Sequence, residues 1–374
     1  MTISPTLYGL DLEEIKRLVA EEKAPSYRAG QIVSWLYQKH IALLDEAKNL
    51  PSDFRKRISQ KFALASLRFA EEQDSAGRES NKFLFETPDG HLLESVLISQ
   101  RGRQTVCVST QLGCKIGCVF CASGKGQFGR NLTAGEIVEQ VVWIARSLRG
   151  GPKGRRNNLG SEIASASFGM PPRNDACRVT NVVFMGMGEP LDNFEATMKA
   201  LKILQAPWGF GIGARRITVS TSGITPKIIE FVKRSEGRVR LSVSLHSSQE
   251  VKRTELVPIN KRYSLGELEA TLRKIHRDLK REITFEYTVI DGVNDSKEEA
   301  EGVAKIARPL KAKVNLIPYN PIREMNFKTP APEKVKQFKE ILEKRGVHVT
   351  IRQTAGRDID AACGQLRLDR EKQN

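Results

Sequence analysis

Residues Cys114 to Cys121 have the sequence CKIGCVFC, and this is the most informative stretch of the chain. It places three thiols in a C-x3-C-x2-C spacing, directly after a strand-like run that ends at Thr110. Iron–sulfur clusters are usually held by four cysteines. A tight triplet without a fourth ligand nearby therefore indicates a cubane cluster in which one iron keeps an open coordination position.

Two other interpretations of the three thiols stay open at this point. A structural zinc site needs four ligands, commonly in paired sets of Cys or His, and none of the five histidines lies near this loop. Free cysteines also pack well as small buried side chains, but three of the six cysteines fall within this one short stretch. The spacing therefore favours a cluster over both alternatives.

The composition indicates a soluble globular protein with a polyanionic partner. The chain has 374 residues, enough for one large domain and a small one, and 40% of them are hydrophobic. Its 60 basic and 44 acidic residues leave a net charge of +16, for which nucleic acid is the first candidate partner. No apolar run approaches the ~20 residues of a membrane span, and the start of the chain lacks a signal-peptide pattern. We therefore expect a cytoplasmic protein with reduced thiols and no membrane association.

The first part of the chain predicts a small helical domain, residues 1–65, followed by a β-hairpin linker, residues 66–100. The apolar spacing predicts helices over residues 11–19, 28–39 and 52–62. Asp89-Gly90 between two strand-like runs is a strong hairpin signal. The helical domain is basic and is a candidate RNA contact, through Arg28, Lys39, Arg55, Lys56, Arg57 and Lys61.

Residues 101–353 predict a core in which strands and helices alternate. The predicted strands cover residues 105–110, 179–185, 215–221, 238–245, 283–289, 312–317 and 347–352. Capping patterns start helices after Thr133 and Ser264. Such alternation indicates parallel strands joined by right-handed crossovers, and six to seven units are too few for the usual eight-stranded barrel. The expected fold is therefore α/β, a partial (β/α)6 barrel whose site lies at the C-terminal ends of the strands.

Two segments fall outside this alternation. Residues 150–178 are rich in Gly, Pro, Ser and Asn and predict a surface insertion, a candidate RNA contact in which Cys177 is incidental. The basic residues of this insertion are Lys153, Arg155, Arg156 and Arg173. Residues 354–374 form a C-terminal segment that carries Cys363.

Polar residues follow several predicted strands, where a partial barrel would bind its ligand. A glycine-rich turn with Gly188 and Glu189 follows the second core strand. Such a turn lets the backbone approach a ligand closely, and a carboxylate there can accept hydrogen bonds from an ammonium group. The other strand ends contribute Ser220, Ser244, Leu245, His246 and Asn320.

Together with the cysteine spacing, these residues resemble the radical S-adenosylmethionine (SAM) superfamily and, within it, the RlmN-type RNA methyltransferases. The resemblance extends from the N-terminal helices to Gln365 and is strongest in GRDIDAACGQL over residues 356–366. It does not include the insertion at residues 150–178, because the connection at this place is shorter in the family. It implies a [4Fe-4S] cluster, one per chain, held by Cys114, Cys118 and Cys121, with SAM bound at the open iron. It also implies a SAM pocket formed by Gly188, Glu189, Ser220, Ser244, Leu245, His246 and Asn320.

The resemblance further implies an unusual methyl transfer to C2 of adenosine that consumes two SAM molecules. One SAM methylates Cys363, and a second SAM, cleaved at the cluster, yields a radical that activates the S-methyl group for addition to C2. After an electron leaves and Glu94 accepts the C2 proton, Cys107 attacks the sulfur of Cys363, which releases the methylated base and leaves a Cys107–Cys363 disulfide. The implied substrates are an adenosine at the peptidyl-transferase centre of 23S rRNA and one in tRNA, 3′ of the anticodon.

The implied partners are RNA and an electron donor such as flavodoxin or ferredoxin, and we expect a monomer. Two alternative functions stay open. The related Cfr-type enzymes methylate C8 of adenosine on the same scaffold. A non-catalytic, metal-stabilised RNA-binding protein would explain the basic charge and a metal site, but it would not explain Cys107, Cys363 and the strand-end pocket.

Overall fold

The described chain is organised around one ten-stranded sheet in which the strands follow one another in chain order. The computed structural model describes residues 6–77, 79–100, 102–150, 178–322 and 325–352, and residue 370. Within these ranges the predicted α/β class is confirmed. The predictions for Cys177, for Cys363 and for most of the segments 150–178 and 354–374 lie outside the described residues.

The elements have the following bounds. The strands are β1 (Arg68–Asp74), β2 (Ser80–Glu86), β3 (Leu92–Gln100), β4 (Arg103–Cys107), β5 (Asn181–Phe184), β6 (Ile217–Thr221), β7 (Arg240–Ser244), β8 (Thr284–Val289), β9 (Lys313–Pro318) and β10 (Val349–Ile351). The helices are α1 (Leu12–Glu21), α2 (Arg28–Val33), α3 (Ser52–Lys61), α4 (Ala122–Lys125), α5 (Ala134–Arg149), α6 (Phe194–Gln205), α7 (Thr225–Arg234), α8 (Glu250–Leu256), α9 (Leu265–Ile275), α10 (Lys297–Ala307) and α11 (Pro332–Lys344).

The sheet changes from antiparallel to parallel at β4. Strands β1 to β4 pair antiparallel, whereas β4 to β10 pair parallel. The predicted hairpin is thus part of a three-strand extension of the core sheet, since β3 pairs with β4 in the register Val96 opposite Cys107. The six strands β4 to β9 match the predicted partial barrel, and β10 adds a seventh parallel strand. Because these strands are parallel, their C-terminal ends meet at one edge.

The two faces of the sheet differ in polarity. Side chains of one face are fully buried in the main hydrophobic core together with apolar residues of the helices, as for Val182, Phe184, Val219, Leu241 and Phe285. Because strand side chains alternate between faces, the register assigns the opposite face to Lys82, Glu94, Cys107, Ser220, Ser242, Glu286 and Asn315. The face away from the main hydrophobic core, called the polar face below, therefore carries these polar side chains.

The helices begin where their capping residues predict. Thr133 accepts a hydrogen bond from the Glu136 backbone, and the Glu136 carboxylate accepts one from the Thr133 backbone, as a capping box requires. The predicted helix 28–39 is α-helical only over α2 and continues as a π-helix over Ser34–Lys39. Among the described residues, no helix is both long and apolar enough to span a bilayer.

One buried carboxylate ties the N-terminal part of the chain to the core. Glu139 on α5 accepts hydrogen bonds from the Thr6 hydroxyl (2.9 Å) and from the backbone of Ser66 (2.7 Å) and Leu67 (2.8 Å). Burial raises the pKa of Glu139, while these hydrogen bonds oppose that rise. The N-terminal helices are thus fastened to α5 at the point where β1 begins, and the predicted domain limits stay a prediction.

Candidate active site

The cysteine loop follows β4 and is held by the elements around it. The Leu112 backbone donates to the Arg130 carbonyl (2.9 Å), and the Val119 backbone donates to the Leu256 carbonyl at the end of α8 (3.1 Å). Ile116 lies in a second, smaller apolar cluster formed with Leu256, Val257, Ile290 and Tyr319, against which Cys114 and Cys118 pack. The loop that carries the thiols is therefore fixed by side chains from distant parts of the chain.

The three thiols of the loop are half-buried and influence one another. Burial raises the pKa of Cys114 to about 12, and the charge of Cys121 adds to the rise. Burial also raises the pKa of Cys118, with further contributions from Cys121 and Cys114, and burial raises the pKa of Cys121. No three Cys, His, Asp or Glu side chains converge around a single metal ion in the described ranges. A cubane cluster does not require such convergence, because each thiolate binds a different iron.

The glycine-rich turn after β5 packs directly against the segment that leads into the cysteine loop. The backbone of Thr110 donates to the Met187 carbonyl (2.8 Å). Gly188 has φ +99°, and a Cβ there would lie 2.5 Å from Cβ of Gln111. The Gln111 side chain in turn accepts a hydrogen bond from the Glu189 backbone (2.8 Å). Only glycine fits at position 188, because any side chain would push the two segments apart.

The Glu189 carboxylate is buried and is already hydrogen-bonded within the protein. It accepts from the backbone and the hydroxyl of Ser222 (2.7 Å each) and from the Leu191 backbone (3.0 Å). Burial raises the pKa of Glu189, and the bonds from Ser222 oppose that rise. The carboxylate thus joins the turn after β5 to the end of β6, and its role in binding SAM stays a prediction.

The remaining predicted pocket residues lie at or just after the C-terminal ends of their strands. Ser220 is half-buried on β6 and lies opposite Ser242 of β7. Ser244 ends β7 and is half-buried, Leu245 is fully buried, and Asn320 is half-buried two residues after β9. The structure therefore brings these residues to the same edge as the cysteine loop.

His246 links the end of β7 to the cysteine loop. Its ring contacts Phe120 edge-on, with the ring centres 4.6 Å apart. Its Nδ1 accepts a hydrogen bond from the Thr288 backbone (3.0 Å), so the proton of the neutral ring is on Nε2. Burial lowers the pKa of His246 to about 3, and the charge of Arg253 lowers it further. His246 is thus a neutral hydrogen-bond donor at neutral pH.

Glu94 and Cys107 lie together on the polar face of the sheet. Glu94 is fully buried, not solvent-facing as hairpin residues usually are, and its carboxylate lies 3.6 Å from Nζ of the equally buried Lys82. Burial raises the pKa of the Cys107 thiol to about 11, with the charge of Arg352 opposing and that of Glu94 adding to the rise. Sequence reasoning proposed Glu94 and Cys107 but did not point to Lys82, and the catalytic roles of Glu94 and Cys107 stay predictions.

Sequence reasoning also missed a polar network on the neighbouring strands. The Glu286 carboxylate on β8 accepts hydrogen bonds from the Ser242 hydroxyl of β7 (3.1 Å) and from the Asn315 amide of β9 (2.7 Å). Burial raises the pKa of Glu286, and the Asn315 hydrogen bond and the charge of Arg352 oppose that rise. The alternation of polar and apolar residues along TFEYTV in β8 is the signal that could have shown Glu286 pointing to the polar face.

Several candidate RNA contacts in the N-terminal helices form ion pairs within the protein. Arg57 and Lys61 both pair with Glu22, at 2.8 and 2.5 Å, and Arg55 pairs with Asp45 at 3.3 Å. These contacts hold the helices together. The RNA role of this surface stays a prediction.

Comparison with known proteins identifies the family. Residues 6–64 match the ribosomal RNA large subunit methyltransferase N-terminal domain, and residues 174–303 match the radical SAM superfamily. The chain is 41% identical to the probable dual-specificity RNA methyltransferase RlmN of Bacillus velezensis and 40% identical to that of Bacillus subtilis, in both cases over 373 residues that cover 100% of this chain and 95% of the relative. The chain belongs to the RlmN family of radical SAM methyltransferases.

A solved structure supports the same assignment for the fold. The crystal structure of a radical SAM methyltransferase from Sphaerobacter thermophilus has a TM-score of 0.85 and 42% identity, covering 96% of this chain and 98% of that one. The family uses a [4Fe-4S] cluster and SAM. The cysteine loop fits such a cluster, because burial and the neighbouring thiols raise the pKa of Cys114 and Cys118, and bound iron would offset the repulsion between the thiolates.

The close approach of Gly188 to Gln111 yields a first prediction. Gly188→Ala should weaken SAM binding about tenfold or more, because a Cβ at φ +99° is strained and displaces Gln111 from the Glu189 backbone. Calorimetric titration of the cluster-loaded protein with SAM measures the affinity. Gly213→Ala is the matched control, because a Cβ there meets no atom within 4 Å. Equal SAM affinity for Gly188→Ala and the control would contradict the prediction.

The buried pair of Lys82 and Glu94 yields a second prediction. Lys82→Met should lower the free energy of unfolding by about 3 kcal/mol, because a buried carboxylate loses its cationic partner. Adding Glu94→Gln to this variant should recover most of the loss, because both charges are then gone. Lys16→Met, which removes an exposed ion pair with Glu13, should change the value by less than about 0.5 kcal/mol. Urea denaturation of the wild type and the three variants measures the free energy of unfolding. A double variant that is no more stable than Lys82→Met would disprove the coupling between Lys82 and Glu94.

Proposed function

We propose that this protein methylates C2 of adenosine in RNA through a methyl group carried on Cys363. The proposed substrates are the adenosine at the peptidyl-transferase centre of 23S rRNA and the adenosine 3′ of the anticodon in tRNA. The full-length relationship to proteins named dual-specificity RNA methyltransferases supports the proposal most directly. The net charge of +16 fits a nucleic-acid substrate.

In this proposal the C-terminal edge of the sheet binds the cofactors. Cys114, Cys118 and Cys121 hold the cluster, and SAM lies beside the turn at Gly188-Glu189. When bound, the cluster and SAM supply the one-electron chemistry that activates a methyl group. The chain's own residues fix the geometry: Gln111 and Ser222 hold the turn, and the proposed pocket is lined by Ser220, Ser244, Leu245, His246 and Asn320.

The polar face of the sheet completes the reaction. Glu94 accepts the proton from C2 of the adenine, and its carboxylate lies 3.6 Å from Nζ of Lys82. The adduct also loses one electron, which the bound cluster would take back. The Cys107 thiolate then attacks the sulfur of Cys363 and forms the Cys107–Cys363 disulfide; the bond from that sulfur to the methylene carbon breaks, and the carbon keeps the electron pair and takes up a proton to become the methyl group. The closeness of Glu94 and Cys107 supports this division of roles, because the charge of Glu94 acts directly on the Cys107 thiol.

The remaining partners belong to the same proposal. An electron donor such as flavodoxin or ferredoxin reduces the cluster, and the protein works as a monomer in the cytoplasm. Residues 1–65 form an accessory domain that contacts RNA. Residues 66–100 connect this domain to the radical SAM core, which covers residues 101–353. The C-terminal segment, residues 354–374, carries Cys363.

The methyl carrier is tested by mass spectrometry of the Cys363 peptide. Protein purified without oxygen should be brown and carry an added methyl group on Cys363, whereas Cys114→Ala should lack both the cluster absorption and the methyl group. Digested RNA from the reaction should contain 2-methyladenosine. A colourless wild-type protein without methylation after reconstitution with iron, sulfide and SAM would point to an RNA-binding protein instead, and 8-methyladenosine would show Cfr-type chemistry.

The role of Glu94 is tested by replacing its carboxylate with the amide of glutamine. Glu94→Gln should accumulate a covalent protein–RNA adduct and lose at least about 100-fold in product formation, because the C2 proton has no acceptor. Denaturing gel electrophoresis with labelled RNA detects the adduct. Glu86→Gln on β2 is the matched control, since Glu86 pairs with the exposed Arg68, and it should turn over normally. Normal turnover without adduct in Glu94→Gln would remove Glu94 from the mechanism.

A further inference from the structure

Arg253 on α8 is a fully buried guanidinium at the C-terminal edge of the sheet. It donates hydrogen bonds to the carbonyls of Ser222 (2.8 Å), Ser244 (3.2 Å) and Leu245 (3.2 Å), and to the side-chain oxygen of Asn260. The contacts join the ends of β6 and β7 to α8. None of these four acceptors carries a charge.

A buried cation bonded to neutral groups is unusual, because burying a charge is costly unless an opposite charge compensates it. Burial lowers the pKa of Arg253 to about 10, so the side chain is still charged at neutral pH. Arg253 binds the Leu245 carbonyl, and the ring of the next residue, His246, contacts Phe120 of the cysteine loop. The compensating charge can therefore come from this loop, in addition to Glu250, whose carboxylate binds the Asn260 amide.

The packing places Arg253 beside that loop independently of its charge. The Val257 backbone donates to the Arg253 carbonyl (2.7 Å), and Val257 lies in the apolar cluster against which Cys114 and Cys118 pack. Val119, which follows Cys118 in the loop, donates its backbone N–H to the Leu256 carbonyl at the end of α8. Arg253 thus occupies a rigid helix that is bonded to the loop itself.

We propose that Arg253 is a positioning residue that supplies a fixed positive charge to the cluster and so favours its one-electron-reduced form. The inference rests on the proposed cluster ligands. Reduction adds one electron from the donor and breaks no bond, so the cluster and its thiolates gain one negative charge. A fixed cation nearby stabilises the reduced form more than the oxidised form, and net charge and hydrogen bonding are known determinants of cluster potentials.

The test measures the midpoint potential of the reconstituted cluster in the full-length protein. Dithionite titration with redox mediators is followed by electron paramagnetic resonance. Arg253→Gln should shift the midpoint to a more negative potential, and Arg253→Lys, which keeps the charge, should stay close to wild type. Arg262→Met is the matched control, because it removes an exposed arginine that stacks on Tyr263, and it should leave the potential unchanged.

A second variant covers the case in which Arg253→Gln does not fold or does not hold a cluster. Asn260→Asp keeps the side-chain size and adds a negative charge at the existing contact with Arg253. It should also shift the potential to a more negative value. If Arg253→Gln holds a cluster and its midpoint potential is unchanged, the proposed role of Arg253 is wrong. If only Asn260→Asp holds a cluster, an unchanged potential in that variant leads to the same conclusion. A wild-type protein that binds no cluster overturns the proposed ligands instead, so the two failures are distinguishable.

Discussion

The buried carboxylate of Glu189 is the constraint on which the site depends. It bonds the turn after β5 to Ser222 after β6, while its backbone bonds to Gln111 on the approach to the cysteine loop. Arg253 continues this chain of contacts from the Ser222 carbonyl to the end of β7. Neighbouring parallel strands place their C-terminal ends side by side, but these bonds fix the loops that follow them. The C-terminal edge of the sheet is therefore a connected polar framework and not a set of independent loops.

The polar face adds buried charges that a stable sheet does not need. Glu94 pairs with Lys82, Glu286 accepts hydrogen bonds from two neutral partners, and the four acceptors of Arg253 among the described residues are neutral. Buried ionic groups often stabilise a protein less than apolar residues of similar volume would. Their concentration around the predicted reaction centres is therefore better explained by chemistry than by folding, since perturbed ionisable groups gather at functional sites.

Local signals predicted most of the fold, and long-range packing determined what they missed. The cysteine spacing, the Asp89-Gly90 turn and the capping residues of α5 act within a few residues, so the sequence alone indicated the correct elements. Glu94 is buried because β3 pairs with both β2 and β4. The hairpin sequence indicates the pairing of β2 with β3, but it gives no sign that a further strand, β4, pairs with β3. In the sequence Arg253 looks like any basic residue on a helix, because nothing near it shows that its side chain binds the Ser222 carbonyl, 31 residues earlier in the chain. Cys363 was found by resemblance alone and lies outside the described residues.

The placement of Glu94 beside Cys107 also bears on the order of the proposed steps. Burial is the main cause of the raised pKa of the Cys107 thiol, about 11, and the charge of Glu94 makes a smaller contribution in the same direction. In the proposed mechanism Glu94 takes the proton from C2 before Cys107 attacks, which removes this contribution, while the charge of Arg352 continues to oppose the effect of burial. The proposed order of steps therefore lowers the pKa of the Cys107 thiol at the point where its thiolate is needed as the nucleophile.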